Sequence, residues 1–432
     1  MMSHRHLVEL YNKKFLNSKL LFENYKNIFP RGVCHNIRNI KPFPFITKKT
    51  NNIYLYDIDD NKLIDLWMGH YTHILGHSNM AIINKVKEVL DNNAHVGTVN
   101  IYQYELAEIL CDAIPFIDKL RFCCSGTEAT MYATRVAQAY TGKNIIVKME
   151  GGWHGGNPDL SHFIQAPYEG KITNHTIAIP FNDKKTSEEL LEAYRGKIGC
   201  IILEPVMGSV GSVLATNEYL SFLRDYTEKN NIVLIFDEII SAFRFCYGSI
   251  SNLYNIEPDL ITMGKIIGGG FPIGAYGGRK DIMEIIEKKD IVVGGGTFSA
   301  NPISMVAGKE MLKLLKDKNY TFLNKMGSTI KDKVNSFLNE MNLNAFSSGY
   351  GSMFSLIFVK NEDYIYNMPS TFIYDVDSKM NNMFQAVALL GNMFTMHGGG
   401  ALSFLHLEES LINKIIEIYY DSLVLLRENL DE

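Results

Sequence analysis

Cysteine is scarce in this chain. Six occur in 432 residues, at positions 34, 111, 123, 124, 200 and 246. Their spacing suits neither a metal site nor a disulfide framework, so reduced thiols in a cytoplasmic protein are expected. Long hydrophobic runs are missing as well. No stretch reaches the ~18 apolar residues that a membrane-spanning helix needs. The N-terminal stretch Met1 to Lys19 is polar and basic and lacks the apolar core of a secretory signal. Neither sign of charge dominates: 42 Lys and Arg against 47 Asp and Glu leave a net charge of -5. That balance gives nucleic acid or an anionic membrane no reason to bind. Internal repeats and low-complexity tracts are also lacking. What remains is an ordinary globular composition, 46% hydrophobic and 21% charged. The length allows two to three domains at ~150 residues each, with a large buried core.

Along the chain, positions 5 to 28 carry helical apolar spacing that Pro30-Arg31-Gly32 ends. Pro42 and Pro44 favour extended backbone. Ile53 to Leu66 reads as a hairpin with Asp60-Asn61 at its turn. Met68 to His77 reads as a loop, and Met80 to Asp91 as an amphipathic helix. Short apolar runs then alternate with helical patterns: 120–124, 144–148, 198–203, 232–236 and 260–263. This alternation predicts an α/β fold with a mostly parallel sheet covered on both faces. The segment from about 316 onward, with helices near 320–340 and 409–428, reads as a small domain that packs with the N-terminal segment. The expected division is 1–75, 76–315 and 316–432.

In open parallel sheets, ligands sit at the carboxyl ends of the strands. The residues just past those ends are Ser125-Gly126-Thr127, Gly151-Gly152-Trp153-His154-Gly155-Gly156, Glu204-Pro205-Val206, Asp237-Glu238 and Lys265. Lys265 stands among apolar residues and glycines, in Ile261-Thr262-Met263-Gly264-Lys265-Ile266-Ile267-Gly268-Gly269-Gly270. Poor solvation favours the neutral, nucleophilic amine there. A P-loop would require a second glycine upstream and Ser or Thr after the lysine, and Ile266 follows instead. A lysine of this kind suits a Schiff base, and pyridoxal phosphate is the commonest carbonyl cofactor held that way. Ser125-Gly126-Thr127 between a strand and a helix offers a phosphate site, or simply an N-cap. Asp237 could keep a pyridine nitrogen protonated, or could cap the next helix. Trp153 among glycines fits stacking on a cofactor ring, or core filling. His154 could assist proton transfer or be structural. Glu204 could hold the Trp153 loop or the substrate.

Together these motifs, with Gly296-Thr297-Phe298-Ser299-Ala300-Asn301-Pro302, resemble class III aminotransferases in order and spacing over about residues 30 to 425. These are pyridoxal-phosphate enzymes of fold type I. Gly277-Gly278-Arg279 and Gly151-Gly152-Trp153-His154-Gly155 are similar to the branch that contains glutamate-1-semialdehyde aminomutase and β-amino-acid aminotransferases. The resemblance implies that Lys265 bonds to the cofactor, that Asp237 pairs with its ring nitrogen, and that Ser125, Gly126 and Thr127 hold its phosphate. It implies that Trp153 replaces the usual stacking tyrosine. It further implies that Thr297 reaches the phosphate of a neighbouring subunit in an obligate homodimer, and that Arg38 binds a substrate carboxylate. His154, Glu204 and His397 complete the expected substrate contacts.

The chain departs from the aminomutase pattern at three places. Met68-Gly69-His70-Tyr71-Thr72-His73 stands where the aminomutase has Gly-Ser-Trp-Gly-Pro-Met. Met207-Gly208-Ser209-Val210-Gly211 replaces Ala-Gly-Asn-Met-Gly, and Met396-His397-Gly398-Gly399 stands where a late glutamate is expected. The resulting expectation is intermolecular amino transfer between a carboxylate-bearing amino acid and a keto acid, with intramolecular transfer of the aminomutase type as the alternative.

Overall fold

The computed structural model describes residues 2–92, 94–161, 175–289, 294–396 and 398–429. Three N-terminal strands, β1 (Thr47–Asn51), β2 (Tyr54–Asp57) and β3 (Lys62–Asp65), form an antiparallel meander. The central sheet comprises β4 (Lys119–Cys123), β5 (Ile145–Met149), β6 (Thr176–Ile179) and β7 (Ile198–Leu203). After a small hairpin of β8 (Val206–Met207) and β9 (Val213–Leu214), it continues with β10 (Val233–Glu238), β11 (Leu260–Gly264) and β12 (Gly274–Gly278). Its order is β4-β12-β11-β10-β7-β5-β6. The β11-β10-β7-β5-β6 pairs are parallel, and β12 alone runs against its neighbours β4 and β11. Burial explains the composition: every residue of β7, β10 and β11 is inside, so these strands read as continuous apolar runs rather than alternating ones.

The chain ends with β13 (Ala345–Ser348), β14 (Met353–Phe358), β15 (Met393–Phe394) and β16 (Gly400–Ala401). β15 pairs in parallel with β3, so the N- and C-terminal segments share one sheet, as the sequence led us to expect. The helices Tyr320–Met341 and Glu409–Glu428 fall where periodicity placed them.

Two local expectations are corrected. The single helix over 5–28 is two, Met2–Lys14 and Leu16–Tyr25, because Phe15 leaves the helical region at φ -113°, ψ 44°. The loop after Leu66 contains a compact turn, Met68–Tyr71, with left-handed backbone. Towards the end of the chain, Met396 and Gly399 form a bridge, and Gly398 and Gly399 pack on the backbone of β14.

Helix Pro302–Leu315 starts at Asn301, whose Oδ1 accepts from Ser304 N at 3.0 Å, with Pro302 at its first position. It packs against the short turn Lys265–Gly268. Gly308 permits that approach: a Cβ there would lie 2.0 Å from Ile267 O and 3.1 Å from Leu106 Cδ2. Gly308→Ala should therefore lower stability by about 1–3 kcal/mol, the usual cost of overpacking a dense core. Urea denaturation of the variant checks it.

Candidate active site

The site is assembled by strand register. β10 and β11 pair Asp237 with Thr262, which brings the Thr262 Oγ1 donor to Asp237 Oδ1 at 3.0 Å. The Ile239 N–H donates to the same oxygen at 3.2 Å. His154 Nδ1 lies 2.7 Å from Asp237 Oδ2. Burial pulls the His154 pKa down against the pull of Asp237, so the ring is read as neutral, donating from Nδ1. Its Nε2 is buried and has no partner among the described residues. Asp237 is 4% exposed.

Glu204 follows β7, whose Leu203 pairs with Phe236 of β10, so Glu204 stands level with Asp237. Its carboxylate accepts from Trp153 N at 2.9 Å and from Gly208 N at 3.2 Å. Burial first, then the charge of Asp237, push its pKa up to about 8 against those donors and Lys265. Lys265 follows β11 with left-handed backbone, φ 46°. Burial lowers its pKa, Arg244 lowers it further, and Asp237 and Glu204 oppose the shift. The expected neutral-amine tendency is therefore present, and its first cause is poor solvation.

Ser125 caps helix Gly126–Thr141, its Oγ accepting from Glu128 N at 3.2 Å. The first N–H groups of such a helix have no intrahelical acceptor and favour an anion. Thr127 Oγ1 accepts from Gly156 N at 3.3 Å. Gly155, at φ 87°, lets the two loops meet, since a Cβ there would sit 2.4 Å from Thr127 Oγ1. Trp153 is 43% exposed above this cup. The loop carrying it is tied down on several sides. Lys148 Nζ donates to Gly152 O at 2.8 Å and to Leu160 O at 2.9 Å, and burial lowers its pKa to about 8. Thr130 Oγ1 donates to His154 O at 2.7 Å, and Ser209 Oγ to Gly151 O at 3.1 Å.

The structure thus brings together Ser125, Gly126, Thr127, Trp153, His154, Glu204, Asp237 and Lys265. His154 and Glu204 were expected at the substrate. Here His154 is bonded to Asp237 and Glu204 to the backbone of the Trp153 loop, because both side chains are enclosed. Arg38 is exposed on the short turn Asn36–Arg38. Thr297 is exposed beside His95, Gly97 and Asn100. His397 lies outside the described residues. Sequence reasoning missed Lys148, Thr262 and Arg244. A lone charge inside an apolar run, Ile-Ile-Val-Lys-Met or Ala-Phe-Arg-Phe, was the available signal for the first and last. Thr262 required the register.

Residues 36–374 match the family model described as aminotransferase class-III, and the chain belongs to that family. It is a pyridoxal-phosphate-dependent enzyme of fold type I. Among its relatives is a glutamate-1-semialdehyde 2,1-aminomutase of Methanothermobacter thermautotrophicus, 38% identical over 359 residues, which span 80% of this chain and 85% of the relative. An omega-transaminase from Sphaerobacter thermophilus superposes with a TM-score of 0.87 at 27% identity, covering 95% of this chain and 98% of the other. A β-phenylalanine aminotransferase from Variovorax paradoxus gives 0.87 at 25%, covering 97% of each.

The residues present fit the cofactor: a helix N-terminus with two hydroxyls for a phosphate, an accessible indole for a ring face, a carboxylate held by three donors, and an amine whose pKa burial lowers. Glu204 titrates with a definite sign. Its pKa is raised from 4.5 to about 8, so the stability tied to its proton is fully present below 4.5 and is lost as pH rises through 8. Glu204→Gln should remove this dependence, flattening the stability–pH curve by up to about 1.4 kcal/mol per pH unit within the window. Urea midpoints of both proteins on each side of that window measure it.

Proposed function

We propose that the chain moves an amino group between adjacent carbons of one carboxylate-bearing amino aldehyde, the 2,1-aminomutase type of amino transfer. The observation that carries this reading is its similarity, over four-fifths of the chain, to relatives named for that reaction. The earlier expectation of intermolecular transfer takes second place. The Met68–His73 and Met207–Gly211 departures favour it, as does the likeness to two transaminases.

Bound pyridoxal phosphate supplies an electron sink for the pair left when a carbon next to nitrogen loses its proton. The chain's own residues do the rest. Lys265, whose pKa burial lowers, takes a proton from the amine-bearing carbon and returns it at the neighbouring position. Asp237, fixed in place by donors from Thr262, Ile239 and His154, holds a proton at the ring nitrogen. Ser125, Gly126 and Thr127 bind the phosphate, and Trp153 covers the ring. Glu204 and Lys148 fix the loop under Trp153. Arg38 takes the substrate carboxylate.

Thr297 serves a second copy of the chain in a homodimer. The exposed apolar side chains of Phe298, next to it in the chain, and of Val99 and Ile101, which flank Asn100 in the chain, support this pairing. No helix among the described residues is long and apolar enough to cross a membrane. The six free cysteines suit a reducing compartment such as the cytoplasm.

Two measurements test the reading. Incubation of the holoenzyme with 4-amino-5-oxopentanoate alone should yield 5-amino-4-oxopentanoate. A strict requirement for an added keto acid would replace it with the intermolecular reading. Lys265→Ala should reduce kcat by at least about 10³-fold, the scale of losing a positioned base and nucleophile. Residual turnover near wild type in that variant would remove Lys265 from its role.

A further inference from the structure

The backbone is most unusual at the turn Met68–Tyr71. Four consecutive residues have positive φ: Met68 at 46°, Gly69 at 61°, His70 at 60° and Tyr71 at 67°. Only one of them is glycine. Residues with a Cβ occupy left-handed backbone singly and at a cost, and such strain concentrates where a site demands a particular presentation. The turn is held from several directions. Tyr71 N donates to Trp67 O at 2.9 Å, and the amides of Thr72 and His73 both reach Met68 O at 3.0 Å. Arg244, fully buried, donates from Nη2 to Tyr71 O and from Nη1 to Leu402 O at 3.0 Å. The surroundings therefore impose this geometry on the turn.

The place matters as much as the strain. The turn packs against Lys265–Gly268 on one side and β16 on the other. Tyr71 and Trp67 are buried in one apolar cluster, and Ile37 packs on that same cluster. His70 stays partly exposed. Its ring centroid lies 4.6 Å from that of Trp67 and 5.7 Å from that of His35. His35 is exposed, and its Nδ1 accepts from Ile37 N at 3.3 Å, so in the neutral ring Nε2 carries the proton and can donate. Arg38, also exposed, ends the same short turn. The turn that presents His70 thus lies beside the loop that carries Lys265, with the His35 imidazole next to His70 and Arg38 three residues after His35. Donors of this kind read carboxylate oxygens, and the guanidinium does so in a planar fork.

We propose that His70, presented by the left-handed turn, is a specificity-determining residue that acts with His35 and Arg38 to select substrates by their carboxylate. The inference rests on the amino-transfer reading above and deepens it. His70 contributes a donor, and its tilted ring contact with Trp67 fixes where that donor stands. The strained turn is what keeps the imidazole at the mouth of the site.

Two variants separate backbone from side chain. Glycine accepts positive φ freely and asparagine accepts it better than most residues, so neither His70→Gly nor His70→Asn should melt below the wild type. Calorimetric titration of each holoenzyme with glutarate, a dicarboxylate that cannot react, reads recognition without turnover. His70→Gly should weaken glutarate at least about 10-fold, as expected when a site loses a hydrogen bond to its ligand, and His70→Asn should recover part of that loss. KM for the amino substrate should rise in parallel while kcat stays within about twofold. Equal glutarate affinity in wild type and His70→Gly overturns the proposal. So does a wild type that fails to bind glutarate, or a lower melting temperature in both variants with affinity unchanged. A wild type that binds glutarate yet transfers no amino group overturns the amino-transfer reading and leaves the carboxylate assignment standing.

Discussion

The hydrogen-bonded carboxylate of Asp237 is the constraint around which the site is built. It is enclosed at the end of β10, where an unpaired charge would be costly. Donors from Thr262, Ile239 and His154 compensate it. Each donor comes from a different stretch of chain. Thr262 belongs to the neighbouring strand, Ile239 to the turn after β10, and His154 to the loop after β5. Satisfying one carboxylate therefore fixes the relative positions of three segments.

The loop after β5 depends on that arrangement and extends it. His154 anchors it to Asp237, Glu204 grips the backbone of Trp153, and Lys148 reaches the carbonyls of Gly152 and Leu160. Three ionisable groups are thereby engaged in placing one indole. The cost is visible in their pKa values: burial lowers Lys148 and His154 and raises Glu204. The same poor solvation acts on Lys265 and lowers its pKa. A single physical condition, low solvation at the strand ends, thus acts both on the groups that support the loop and on the lysine.

Much of the fold was legible because the signals were strong. Fully buried parallel strands appear as unbroken apolar runs, and long amphipathic helices such as Tyr320–Met341 announce their period. The element hardest to read was β12, Gly274–Gly278, which looks like a glycine-rich loop. It is a strand because its neighbours come so close that Gly274 has no room for a Cβ against Ser125 O. The left-handed turn at Met68–Tyr71 was equally hidden. Local propensity disfavours it, and Arg244, donating to the carbonyls of Tyr71 and Leu402 from a distant part of the chain, helps to hold it.

The sequence by itself determined which chemical groups are present and that they follow strand ends: a lysine among apolar residues, an aspartate after a buried strand, a Ser-Gly-Thr before a helix. Those are local facts of composition and order, and local physics suffices to read them. Tertiary structure decided what each polar group is bonded to. His154 and Glu204, which composition would allow at a substrate, are committed to Asp237 and to the Trp153 backbone because strand register encloses them there. Which side chains remain partly open beside Lys265, among them Trp153 and His70, follows from the same register and from the contacts that hold their loops. Such pairings join residues far apart in the chain, and no local pattern encodes them.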